Sequence, residues 1–103
     1  MPNSYNLNQR VYFTVQFKDP LDNSLVDPDT VLFYLSNPLG QVVASWTKPP
    51  DAEITKVSTG YYRCSYVLDY PGDWYYRWEG SGTWDGAAEG RVCCRESHIP
   101  GIP

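Results

Sequence analysis

Polar and apolar residues alternate along most of this chain, with a period of two. In RVYFTVQF, residues 10 to 17, Val11, Phe13, Val15 and Phe17 fall on one side, and Tyr12, Thr14 and Gln16 on the other. Successive side chains of a strand point to opposite faces, so this spacing predicts a half-buried β-strand. TVLFYLS, residues 30 to 36, repeats it with Val31, Phe33 and Leu35 inward. In YYRCSYVL, residues 61 to 68, Arg63 and Ser65 belong outside, which turns Tyr62, Cys64, Tyr66 and Leu68 inward. In WYYRWEG, residues 74 to 80, Arg77 and Glu79 share a face with Tyr75, so Trp74, Tyr76 and Trp78 form the inner row. AAEGRVCCRE, residues 87 to 96, sends Glu89 and Arg91 out, and Ala88, Gly90, Val92 and Cys94 in.

Two further strands are weaker. QVVASWT, residues 41 to 47, reads as an edge strand whose inner face the pattern leaves open, and a short strand is expected around Ile54 to Val57. Turn chemistry separates the elements. NPLG, residues 37 to 40, has Pro second and Gly fourth in a β-turn. KPPD closes the edge strand because Pro cannot donate to a ladder. No stretch of eleven residues keeps a helical apolar period, and no repeat is present. About seven short strands with hairpin-length links and no crossover helix predict an all-β antiparallel sandwich. Its core domain is placed at residues 10–96, between an N-terminal arm, 1–9, and an extended C-terminal tail, 97–103.

Composition narrows the function. A chain of 103 residues is one domain, and with four Trp and nine Tyr its core is built from a few large rings. The net charge of -4 and eight scattered Lys and Arg argue against nucleic acid, whose phosphates need clustered cations. No run approaches the roughly 18 apolar residues of a membrane span. MPNSYNLNQR lacks the basic and apolar regions of a signal peptide, and three cysteines make an odd set without framework spacing. Folding in a reducing cytoplasm is the expectation.

At residues 71 to 78, P-G-D-W-Y-Y-R-W resembles the corner-and-strand signature of immunoglobulin-like domains. The resemblance puts Trp74 in the place of the corner Tyr and Tyr76 in the place of the disulfide Cys, so a ring fills the space of the inter-sheet bridge. The ordered set V-x-F-x-V-x-F-x-D-P, V-D-P-x-T-V-x-F-x-L, N-P-x-G, G-Y-Y-R and G-D-W-Y-Y-R-W-E-G-S-G is similar to small immunoglobulin-like virion structural proteins of tailed bacteriophages and prophages. It covers residues 11 to 92. The resemblance implies a non-enzymatic virion component assembled in the host cytoplasm: a capsid decoration (cement) protein, or else a neck or tail accessory. Its implied partners are other virion proteins (major capsid, neck or tail), without nucleic acid or membrane, and with a homo-oligomer within the assembly left open.

The remaining residues are weighed against that reading. Alternation with Arg77 and Glu79 makes the Trp74, Tyr76 and Trp78 row core packing, not a sugar platform. Tyr75, on the outward face, and Trp84, in the hairpin loop GSGTWDG, are partner-contact candidates. In the two arms, Tyr5 and Leu7, and Ile99 and Ile102, are candidate anchors along a neighbour. Cys64, Cys93, Cys94 and His98 suggest zinc superficially, yet adjacent strand residues face opposite ways, so no metal is expected. A Cys64–Cys94 bridge and unpaired thiols both stay open. Asp19, Asp22, Asp27 and Asp29 could hold calcium, but D-P and D-N are also ordinary turn residues. One His, no paired carboxylates, no phosphate cradle and no nucleophile elbow leave an enzyme, and any cofactor, without support. The competing reading is a carbohydrate- or cell-surface-binding module, which needs exposed coplanar rings.

Overall fold

The computed structural model describes residues 4–97. Eight strands follow in chain order: β1 (Ser4–Asn6), β2 (Arg10–Gln16), β3 (Thr30–Ser36), β4 (Val42–Lys48), β5 (Thr55–Ser58), β6 (Tyr61–Val67), β7 (Gly72–Ser81) and β8 (Gly86–Arg95). They form a five-stranded sheet, β1-β8-β7-β3-β4, facing a three-stranded sheet, β2-β6-β5. The fold is an all-β sandwich of two sheets. Every strand pair is antiparallel except β1 with β8, which run parallel.

The inner faces are those the alternation predicts. Val11, Phe13, Val15 and Phe17, then Val31, Phe33 and Leu35, and Tyr62, Cys64 and Leu68 are all buried. Trp74 and Trp78 are fully buried, on either side of the half-buried Tyr76. Phe33 links the sheets at the centre, with Trp78 at 4.7 Å and Phe13 at 5.3 Å between ring centroids. These tilted pairs add to what burying the rings contributes. The indole N–H of Trp74 donates to the Tyr70 carbonyl at 2.9 Å, so this ring pins the corner between β6 and β7. The Trp78 Nε1 is buried without an acceptor, a cost of roughly 1–3 kcal/mol borne by the surrounding packing.

Tyr76 shows how the core does without an inter-sheet bridge. Its ring rests on Phe13 at 5.1 Å and crosses its cross-strand partner Gly90. A Cβ on Gly90 would lie 2.5 Å from the Tyr76 hydroxyl, so the ring takes the space that a side chain at 90 would need. Cys64 and Cys94 are both buried and, like Cys93, unbridged.

Two local expectations need correction. The strand count is eight because Ser4–Asn6, within the segment assigned to the arm, pair with Cys93–Arg95 of β8. That pairing is made by backbone groups, which a polar tripeptide does not advertise. Ala88, expected inside, is exposed although Trp78 opposite it is buried. Three strands cannot cover five, and this stretch of β8 overhangs the smaller sheet. The short strand expected around Ile54 to Val57 is present as β5; its residues are all exposed, and the preceding Ile54 is buried.

Candidate interaction surfaces

The outer face of the five-stranded sheet carries paired charge around exposed rings. Arg77 donates to Glu79 at 2.6 Å and to Glu89 at 3.3 Å, and Arg91 lies 3.8 Å from Asp73. The Glu79 carboxylate, and then Glu89, hold the Arg77 guanidinium protonated even more firmly than usual. Beside this ladder Tyr75 is 51% exposed, and a hollow of about 160 Å³ opens between Tyr34, Ser36, Val42 and Tyr75. On the other sheet the Tyr12 ring is outside, with the Arg63 guanidinium 5.4 Å above it.

One end of the sandwich is organised by Asp27. Its Oδ1 accepts from the Gly60 N–H at 2.7 Å and the Tyr62 hydroxyl at 3.0 Å, and its Oδ2 accepts from Lys56 at 2.7 Å. The Lys56 ammonium and the Gly60 N–H hold the Asp27 carboxyl below its ordinary range. Burial, and then the hydrogen bond to Asp27 and its charge, push the Tyr62 phenol up to about 12. Gly60 sits at φ 71°, where an added Cβ would meet the Phe17 and Val26 backbone within 2.9 Å. The other aspartates serve their own loops. Asp19 accepts from the Leu21 N–H, Asp22 from Ser24, and Asp29 from Thr83 of the β7–β8 hairpin. Among the described residues no three His, Cys, Asp or Glu side chains converge to hold a metal ion.

The sequence-derived contact residues are scattered. Tyr75 is exposed, as the alternation predicts. Trp84 is half-buried and lines a hollow of about 110 Å³ with Phe17, Val26 and Ala88, so it leans back toward the overhanging end of β8. Tyr5 and Leu7 are half-buried against the chain's own core. Ile99, Ile102 and His98 lie outside the described residues. Cys64 is sealed in the core, and burial pushes its thiol up to about 12.

One concavity was not expected from the sequence. A cleft of about 470 Å³ opens on the flank where β4 and β6 diverge, lined by Arg10, Trp46, Glu53, Ser65, Tyr66 and Asp69. Trp46 stacks on Phe33 at 5.8 Å and lies 6.5 Å from the Tyr66 ring. The two rings are inclined at 46° and form an apolar wall, not a flat platform. Burial, and then the Asp69 charge, raise the Tyr66 phenol above its ordinary value. Arg10 donates to the Ser65 hydroxyl at 2.9 Å. The cleft exists because β5 is short: it begins only at Thr55, opposite Arg63, and leaves Ser65 and Val67 of β6 without a partner strand on that side among the described residues. No alternation pattern encodes where a partner strand stops. No protein-family model, curated protein or solved structure is similar enough to this chain to count as a match.

Proposed function

We propose that this chain is a non-enzymatic structural component of a tailed-phage particle, most simply a capsid decoration protein, with a neck or tail accessory as the variant placement. The observation that carries this reading is the distribution of exposed apolar side chains. Leu21, 93% exposed, tips the β2–β3 loop, and Leu39, 60% exposed, tips the β3–β4 loop at the opposite end of β3. Tyr12, Val42 and Tyr75 stand on the two outer faces. Apolar groups at both ends and on both faces suit a small module packed among several neighbours. The motif set of residues 11 to 92 points the same way, and Asp19, Asp22, Asp27 and Asp29 are engaged in hydrogen bonds that hold loops.

Electron microscopy of particles made with and without the gene tests it. The expected result is a defined density that disappears with the deletion and returns on adding purified protein. Identical particles from both preparations would refute the assignment.

A further inference from the structure

We infer that the cleft beside Trp46 receives an extended polypeptide segment of a neighbouring protein, which adds to the free side of β6 as a strand. The inference deepens the assembly role proposed above and rests on it.

The hydrogen-bonding direction of β6 can be followed residue by residue. Phe17 donates to Gly60, and Leu68 donates to Gln9, at the two ends of the β2–β6 ladder. The register between them is uninterrupted, with Val15 opposite Tyr62, Phe13 opposite Cys64 and Val11 opposite Tyr66. Even-numbered residues of β6 therefore turn their N–H and C=O groups to β2. The odd-numbered ones turn theirs the other way, because backbone groups alternate along a strand. Arg63 uses that side for Thr55. Ser65 and Val67, two positions further on, have no partner strand there among the described residues, and both line the cleft. Backbone donors and acceptors left at an edge are a template for another strand.

Other edges are less inviting. β1 has three residues and β5 four, β4 carries a register shift against Leu35 and Ser36 and runs into Pro49 and Pro50, and the seven-residue edge of β2 carries exposed side chains at Arg10, Tyr12, Thr14 and Gln16. The edge at Ser65 and Val67 has an apolar wall beside it. An added strand would place alternate side chains inward against Trp46 and Tyr66, and outward over Ser65, Val67 and Arg10. The open stretch has room for about three to four residues at roughly 3.3 Å each. Charge decides the chemistry of the occupant. Glu53 and Asp69 flank the cleft against the single cation Arg10, which leaves one negative charge in excess. The segment that fits is apolar at alternate positions and carries a Lys or Arg.

A phage-displayed library of randomised linear heptapeptides, panned against the whole chain, supplies the probe. Enriched peptides should alternate apolar residues and include a basic one. Titrated as synthetic peptides, they should shift the amide resonances of Ser65 and Val67 and slow their hydrogen exchange. N-methylation of alternate peptide amides should weaken binding at least about tenfold (~1.4 kcal/mol). Glu53→Gln with Asp69→Asn should weaken it severalfold at unchanged Tm. No enrichment, shifts confined to another surface, or a response of these amides to hexose oligosaccharides and to no peptide would each overturn the inference. Particle deletion reports separately: a functional virion protein with a silent cleft sinks this inference alone, and a responsive cleft in a protein absent from particles sinks the assembly role alone.

Discussion

Replacing Trp74 measures how much of the domain hangs on one corner. The side chain is fully buried, its ring lies 5.9 Å from Tyr66, and its N–H satisfies the Tyr70 carbonyl. Trp74→Ala removes the largest kind of side chain from a site with no solvent access, a loss of about 3–5 kcal/mol in cavity and transfer terms. The unpaired Tyr70 carbonyl adds roughly 1 kcal/mol. A sum of about 4–6 kcal/mol compares with a total stability of roughly 5–15 kcal/mol for a domain this long. The variant should therefore be largely unfolded, or should melt far below the parent. Trp74→Phe separates the two terms. It keeps a ring but loses the N–H and part of the volume, at about 1–3 kcal/mol, which lowers Tm by roughly 5–20 °C. Trp84→Ala, at a half-buried loop position, should cost no more than about 1 kcal/mol. Urea and thermal unfolding followed by far-UV circular dichroism gives all three values. If both Trp74 variants melt within about 2 °C of the parent, or if Trp84→Ala matches Trp74→Ala, the assignment of inner and outer rings is wrong.

Two further measurements address other parts of the sandwich. Gly90→Val should destabilise by about 1–3 kcal/mol because its side chain meets the Tyr76 ring, and the added Tyr76→Ala change should recover part of that loss; a purely additive double-mutant cycle would reject the contact. The Asp27 network sets opposite pH limits. Asp27 has a folded pKa below 3.8, so its contribution is present above that value and is lost as pH falls through the lower folded one, and Asp27→Asn should flatten the acid limb of stability against pH. Tyr62 is raised from 10.0 to about 12, so its contribution is complete below pH 10 and disappears as pH climbs toward 12; Tyr62→Phe should flatten that alkaline limb, and an unchanged limb would exclude the coupling.

What the chain discloses before folding depends on how far each feature is a matter of side-chain pattern. β2, β3, β6 and β7 were legible because one face of each meets a full layer of opposing rings, and charged residues such as Arg63 and Arg77 mark the other face. Ala88 misled because alternation gives the direction of a side chain, not whether anything stands opposite it. β1 was hidden because its pairing with β8 is carried by backbone groups that every sequence possesses. The cleft was hidden for a related reason. Trp46 and Tyr66 are visible as aromatics, but their partial exposure follows from the late start of β5, at Thr55 after the inward turn of Ile54. Tyr75 was readable as outward, and Trp84 was placed correctly in a hairpin loop whose fold back onto Phe17 and Val26 is a tertiary event.

The parallel ladder between β1 and β8 has an architectural consequence. Ser4 lies opposite Cys93 and Asn6 opposite Arg95, so the polypeptide enters and leaves the described domain on adjacent tracks, about 5 Å apart where they pair. Because the two strands run the same way, the chain arrives and departs in one direction of travel, an arrangement that suits modules strung head to tail in line. Closing it into a ring takes a linker that turns back from Arg95 to Ser4, and reopening that ring at the Gly82–Asp85 hairpin gives a permuted chain with the same two sheets.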